Sequence, residues 1–530
     1  MLKTTTSLLL VLLALTSCQN TGRIAEKLPV IVENTAVLKN TPLAINPEIL
    51  KTATEPTQAF YAANNNTTLW TKPEDRIALQ EAINSITTDG LVPEDYNHTL
   101  LKDFEAITVI SEEESMRYDI MMTESFINLS THLFKGKLQP AGIYDDWALA
   151  PKKLDVDKLL NEALTRHNVT EVVARCRPRH AVYTSLRNSL QYLDNLPEDA
   201  NLPRIEFTKN VALNNTTPAV NAIKQRLNYW GDLTIGDSIT NVYDKETIVA
   251  VKKFQERHGI YADGVVNTRT ADALNFSRND RREQVIANLE RWRWFPYDFG
   301  ETAIVVNIPN YRLAVLKNNT DTVQTCKVVV GKPERRSPIL HSRLNNLVIN
   351  PTWTVPPTIL KEDLTPSATK DRKYFAEHNM KIYRGSSEVN PWEWDPLLAD
   401  KYVYVQGPGN RNSLGRIKFN FVNSFAVYLH DTNHKENFTK HYRALSSGCV
   451  RVQDPFKLAG YVLDNENEGW TKAKIDEIIA TGETESLVIK KSIEVHQLYW
   501  TAWMDKGQLQ FRNDIYNLDK ALYNKLRSKS

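Results

Sequence analysis

Two short runs in the last quarter of the chain hold the residue types best suited to covalent chemistry: "VYLHDT" at 427–432 and "RALSSGCVRV" at 443–452. A strand over Phe425–Leu429 would deliver His430 at its end, and Ser446-Ser447-Gly448 would turn the chain so that Cys449 opens the next element. A cysteine attacks as thiolate, and at neutral pH a free thiol of pKa about 8.5 is mostly idle. An adjacent imidazole that takes its proton activates it. The imidazole must itself be held in one orientation, and the Asp431 carbonyl or carboxylate is placed to do so. Attack on an amide creates an oxyanion, for which the Gly448 and Cys449 backbone N–H groups are the natural donors.

Neighbouring side chains extend the set. Arg443 and Arg451 flank the thiol, and either one fits a substrate carboxylate or a loop-holding salt bridge equally well. Tyr428 alternates onto the face of His430 and so lines the same cleft. The spacing of His430, His434 and His441 matches no common zinc pattern, and no cysteine or carboxylate completes a ligand set; neither a metal nor another cofactor is expected.

The rest of the 530-residue chain must position these groups, and its length implies about three domains. Residues 1–17 read as an export signal: a basic start at Met1–Lys3, then an apolar run over Ser7–Leu15 too short to span a bilayer. Leu15-Thr16-Ser17-Cys18 resembles the lipobox of bacterial lipoproteins, which implies lipidation of Cys18. Gln19 lacks the inner-membrane retention signal, so a periplasmic protein anchored in the outer rather than the inner membrane is expected. Residues 18–46, with Pro29 and Pro42, read as a tether. Of the remaining cysteines, Cys176 and Cys326 either bridge each other or stay as buried thiols, and both outcomes leave Cys449 free. A net charge of +2 gives no case for nucleic acid.

Residues 47–205 form a helical scaffold, with apolar 3.6-residue periodicity over Arg76–Thr87, Glu113–Lys135 and His180–Leu193. Residues 206–280 hold amphipathic helices at Ala219–Leu227, Asp244–His258 and Thr268–Leu274. The runs "AIKQRLNYWG" and "YDKETIVAVKKFQERHGIYADGVVNTRTADAL" resemble the three-helix peptidoglycan-binding module of many cell-wall enzymes. Arg281–Phe295 is a linking helix with Ile286, Leu289 and Trp292 on one face. From Thr302 the pattern alternates as β-strands, interrupted at 357–400 by a charged, Pro-containing insertion read as a lid. Strands resume at Lys401–Val405, Arg416–Phe421 and Ser486–Ser492, with a further one in "HQLYWTAWMD", and the domain is bounded at 281–505 before a tail at 506–530. The fold class is multidomain α+β.

The Cys/His runs resemble the signature of YkuD-type L,D-transpeptidases, a His followed by Ser/Thr-His-Gly-Cys. Ser447 stands where the signature has its second His, as in the YcbB-like branch; this removes one donor near the oxyanion and leaves the Cys449–His430 pair. "VVNIPNYRLAV", "VVVGKPERRSPIL", "NPTWTVPPTI" and "QGPGNRNSLGRIKFNF" are similar to the same branch, and Trp353, Asn412 and Lys418 within them are by that resemblance expected to support the cleft or a lid. The resemblance implies that Cys449 attacks the L-centre carbonyl of diaminopimelate in a donor stem and expels D-Ala. A second stem's amine then resolves the thioester into a 3→3 crosslink. It also implies that carbapenems acylate Cys449. Water as the acceptor would make the same site an L,D-carboxypeptidase, a lysine acceptor would attach an outer-membrane lipoprotein, and a chain that only binds the wall is a further alternative.

Overall fold

A computed structural model describes residues 36–236, 239–466 and 469–528. The signal segment, Cys18 and most of the tether lie outside the described residues, as does the end of the chain. Among those described, no helix is long and apolar enough to cross a membrane.

The scaffold is built on α1 (Pro73–Ser85), α2 (Glu112–Lys135) and α3 (Ala181–Asn195). Ser111 and Glu114 close a capping box that fixes where α2 begins, satisfying two N–H groups the helix cannot pair itself. The binding module follows as α4 (Pro218–Tyr229), α5 (Lys245–Arg257) and α6 (Thr268–Asn275) around a core of Leu227, Val251, Phe254 and Leu274. Asp244 and Asn267 cap the second and third of these helices, each accepting from an N–H three residues on.

α7 (Arg278–Trp294) joins module to catalytic domain and differs from a one-faced amphipathic linker, because it is buried on every side. Its apolar face reaches the main core through Ile286, Leu289 and Trp292. The opposite face is charged and paired internally: Arg293 pairs with Glu290 and donates to the Asp89 carbonyl and Tyr183 hydroxyl, while Arg291 pairs with Asp519 through Nη1 and leaves its Nε and Nη2 without a hydrogen-bond partner among the described residues. Removing one partner of such a pair would strand a buried charge, at a cost of about 3–5 kcal/mol.

The catalytic domain contains β1 (Thr302–Asn307), β2 (Arg312–Lys317), β3 (Asp321–Gly331) and β4 (Ile339–Ile349). Within the insertion lie β5 (Trp353–Thr354), β6 (Met380–Arg384), β7 (Ser387–Val389) and β8 (Val403–Gln406). After it come β9 (Ile417–Phe421), β10 (Leu429–His430), β11 (Ala444–Ser446), β12 (Val450–Val452), β13 (Glu485–Val488) and β14 (Glu494–Leu498). The main sheet runs β9-β10-β12-β3-β2-β1-β14-β4, and β9 also pairs with β4, so it closes on itself. The scaffold contributes to it: Trp147-Ala148 pairs in parallel with Ile339-Leu340 of β4.

Four expectations need correction. The insertion reaches beyond 357–400, since β5 and β8 belong to its own sheet, ordered β7-β6-β8-β5, and its core of Phe375, Ile382, Trp394 and Tyr404 is separate from the main one. The run at 401–405 therefore does not rejoin the catalytic sheet. The second half of "HQLYWTAWMD" is likewise not in that sheet: β15 (Ala502–Asp505) pairs with β16 (Gln508–Phe511) as a hairpin. Nor is 506–530 a tail, because Phe511, Tyr516, Leu522 and Leu526 are buried in the main core and α8 (Asp519–Arg527) packs on α7. Each such side chain contributes roughly 1.5–3 kcal/mol on burial.

Candidate active site

The strand carrying His430 is shorter than alternation predicts. Asn423 Oδ1 accepts from the Phe425 and Val427 N–H groups, and Ala426 takes a left-handed φ of 54°, so the chain turns through 423–427 and pairs only at Leu429-His430. β10 then runs parallel to β12 and antiparallel to β9. Its register sets His430 opposite Arg451 on one side and Lys418 on the other. Tyr428 and Cys449 precede this row by two residues and so face the same way. Tyr428, His430, Cys449 and Arg451 line a cleft of about 530 Å³ that also admits Arg335, Trp353 and Ser447.

His430 is 4% exposed, and its Nδ1 bonds the Asp431 backbone carbonyl. That carbonyl accepts a proton donor, so Nδ1 carries the hydrogen and Nε2 is the free acceptor. Burial first, then Arg451, Lys418 and Lys435, lowers the imidazole pKa to about 3. Burial also pushes the Cys449 thiol up, although Tyr428, Lys418 and Arg451 pull in the other direction. The resting pair is therefore a neutral imidazole and a neutral thiol, with no preformed ion pair. Among the described residues no hydrogen bond joins them.

Of the two orienting routes open to Asp431, the carbonyl is the one used. Its carboxylate accepts the Arg416 N–H at 2.8 Å and pairs with Lys435. Gly415, at φ 62°, passes so close that a methyl there would overlap this carboxylate. Gly415→Ala should then cost about 2–4 kcal/mol from left-handed strain and overpacking. The expected result is a lower urea midpoint together with a shifted His430 imidazole NMR resonance, because the displaced residue carries the carbonyl that holds His430.

The turn bearing Cys449 is fixed from below. Ser446 Oγ donates to the Cys449 carbonyl at 2.5 Å, and Ser337 Oγ donates to the Gly448 carbonyl at 2.7 Å. The Tyr516 hydroxyl donates to the Gly331 carbonyl at 2.7 Å and accepts the Ser337 N–H at 3.1 Å. Gly448 has φ 109°, and its N–H points to Ser446 Oγ at 3.3 Å, a long bond that an oxyanion would have to replace.

The two arginines separate. Arg451 lies in the cleft with its buried Nε unpartnered. Arg443 is not in this cleft, and no salt bridge joins it among the described residues; it donates to the carbonyls of Val328, Lys440 and Tyr311 and so ties the loop. Lys418 stands 4.0 Å over the Tyr428 ring. Asn412 donates to the carbonyls of Pro351 and Gly407 and so braces the base of the insertion. Cys176 and Cys326 are free, buried thiols in different cores. His434 pairs with Glu436, and His441 stacks on Tyr261, away from His430.

Arg335 is absent from the residue set drawn from sequence. Its guanidinium bonds Glu362 and Asp363 of the insertion and, at 2.8 Å, the Ser447 hydroxyl. Glu362 and Asp363 sit on a π-helical turn over Leu360–Leu364, a geometry that marks functional irregularities. One side chain thus joins the insertion to the nucleophile turn. Both carboxylates are about half exposed, so each pair contributes no more than about 1 kcal/mol. Arg335→Ala should leave the global urea midpoint unchanged. Proteolytic cleavage within 357–370 is expected to quicken about fivefold, the equivalent of ~1 kcal/mol of local opening, read from fragment masses.

Comparison with known proteins adds the following. Residues 301–476 match the model of the L,D-transpeptidase catalytic domain of the YkuD family, residues 216–274 a "Putative peptidoglycan binding domain", and residues 55–190 a scaffold domain. A Haemophilus influenzae protein named "Putative L,D-transpeptidase" is 36% identical over 244 residues, covering 45% of this chain and 49% of that one. The chain thus spans about half the length of this curated relative. A solved L,D-transpeptidase structure from Xylanimonas cellulosilytica is 14% identical, covering 55% of this chain and 99% of its own, with a TM-score of 0.17. One from Stackebrandtia nassauensis is 12% identical, covering 58% and 99%, with a TM-score of 0.21.

Proposed function

Starting from a chain that carries a YkuD-type L,D-transpeptidase catalytic domain beside a peptidoglycan-binding domain, we propose that it forms 3→3 crosslinks between peptidoglycan stems through a Cys449 thioester. The observation that carries this reading is the parallel β10–β12 register, which sets a neutral, Nδ1-anchored His430 in one cleft with Cys449. His430 Nε2 takes the thiol proton as sulfur attacks the diaminopimelate L-centre carbonyl. It passes that proton to the departing D-Ala nitrogen, which leaves as the amine. The acceptor stem's amine then attacks the thioester and gives a proton to Nε2, and the thiolate leaves and is reprotonated from the imidazolium.

Charge in the cleft suits this substrate. Arg451 Nε is buried without a partner, the Lys418 charge bears on the thiol, and burial lowers the proton affinity of both cations, so a stem carboxylate would stabilise them. The Cys449 N–H, and the Gly448 N–H once freed from Ser446, supply the oxyanion donors. We further propose a periplasmic location with Cys18 lipidated in the outer membrane. No metal or other cofactor takes part in this chemistry.

The test is to incubate the soluble chain, starting near Asn46, with purified disaccharide tetrapeptide and to identify products by mass spectrometry. Dimers with a 3→3 linkage are expected. Tripeptide without dimer would instead make water the acceptor, and no product at all would sink the reading.

A further inference from the structure

A second cleft, of about 400 Å³, lies where the binding module meets the catalytic domain. Its lining is cationic: Arg269 from the module faces Arg312, Lys327, Arg443 and Arg512, and burial, then Arg443, Arg269 and Lys327, keeps the His441 imidazole neutral. Tyr261, Tyr311 and Tyr442 complete the walls, and Glu256 is the one carboxylate among the described lining residues.

These charges are not neutralised from within. Arg443 and Lys327 donate only to backbone carbonyls, and Arg512 to the Asn310 side chain and to carbonyls. Arg269 and Arg312 are exposed, and no carboxylate pairs with either among the described residues. Burial, and secondarily Arg312, lowers both Arg443 and Arg512 to about 10. A structural salt-bridge network would raise those values. The Tyr311 hydroxyl adds a second signal, being buried with no hydrogen-bond partner.

The cleft is also rigidly built. Arg512 donates to the Arg257 carbonyl at 3.0 Å across the seam, and the His258 ring stacks on Phe511. Gly259 admits the Arg512 side chain where a methyl would collide with it. One wall, His441–Arg443, continues through β11 straight into the turn that bears Cys449, a path of at most about 20 Å of extended chain.

We propose that this cleft is an accessory site for the carboxylates of a peptidoglycan stem peptide outside the catalytic cleft, a polyanionic peptide held by cations and aromatic walls. It rests on the peptidoglycan reading above. The glycan backbone has no charge to satisfy these arginines, whereas each stem carries several carboxylates within the reach of one short peptide. A stem held here keeps its strand beside the nucleophile while the neighbouring stem reacts.

Full-length wild type and Arg269→Glu/Arg312→Glu are to be compared in two assays: cosedimentation with purified sacculi at several salt concentrations, and turnover of soluble disaccharide tetrapeptide. The variant should bind sacculi on the order of tenfold more weakly at low salt, with the gap closing near 0.5 M salt as screening removes the attraction. Amidating the sacculus carboxylates should weaken wild type to the level of the variant. Turnover of the soluble monomer should stay within about twofold, since neither arginine touches the catalytic cleft. Equal sedimentation of the two proteins, or wild-type binding indifferent to amidation, overturns the accessory site. Absent turnover with the charge-dependent binding gap intact supports the site and sinks the crosslinking reading instead.

Discussion

Cys449→Ala should abolish crosslinked product, with a fall of at least about 10⁴-fold, while leaving the fold intact. The turn is held by Ser446 and Ser337 through backbone carbonyls and by the left-handed Gly448, none of which needs the sulfur. In the proposed mechanism the missing atom is the nucleophile itself, so no residual pathway through the imidazole or the oxyanion donors would form a thioester. The measurement is intact mass after exposure to a carbapenem: wild type gains one adduct, the variant none. Cys176 and Cys326 serve as internal controls, because burial pushes both thiols up to about 11. An adduct on either, or undiminished product from the variant, would remove Cys449 from its role.

The Cys/His pair was legible because its neighbours in sequence are also its neighbours in space. His430 and Cys449 end one strand and open another, and the residues that orient them, Asp431 and Gly448, are adjacent. The helices were legible for a similar reason, as periodicity within one segment reports which face is apolar. What escaped depends on distant partners. Ser337, Gly415 and Tyr516 matter only because the sheet brings them under the turn or against Asp431, and Arg335 only because the insertion folds back toward it. Arg443 fits a substrate carboxylate or a loop-holding salt bridge equally well from sequence; in the fold it lies outside the Cys449 cleft and ties its loop through the carbonyls of Val328, Lys440 and Tyr311. On α7, pattern alone cannot reveal that Glu290, Arg291 and Arg293 find charged partners inside a core. The 506–530 segment was missed because its core residues are spaced singly among polar ones.

His430→Gln should lower kcat/KM about 10³-fold near neutral pH, within the range a positioned general base contributes. A pH profile then separates that role from a structural one. Wild-type His430 has its pKa lowered to about 3, so it is neutral and able to accept a proton throughout the range above that value. Its kcat/KM should stay flat from about pH 8 down to about pH 5, with no fall near 6.5, the ordinary value for an imidazole. The variant has no base and depends on the fraction of Cys449 already ionised. Burial keeps that thiol above its ordinary range, so the variant's rate should climb about tenfold per pH unit through the same interval and approach wild type only in alkali. Stability limits the acid end. An imidazole with a depressed folded pKa binds its proton first in the unfolded chain, so His430 costs folding stability as pH drops below 6.5 and continues to do so toward about 3. That amounts to about 2 kcal/mol by pH 5, and circular dichroism must accompany each rate. A wild-type acid limb centred near 6.5 with the fold intact would mean a solvated imidazole, and a variant as flat as wild type would mean that His430 is not the base.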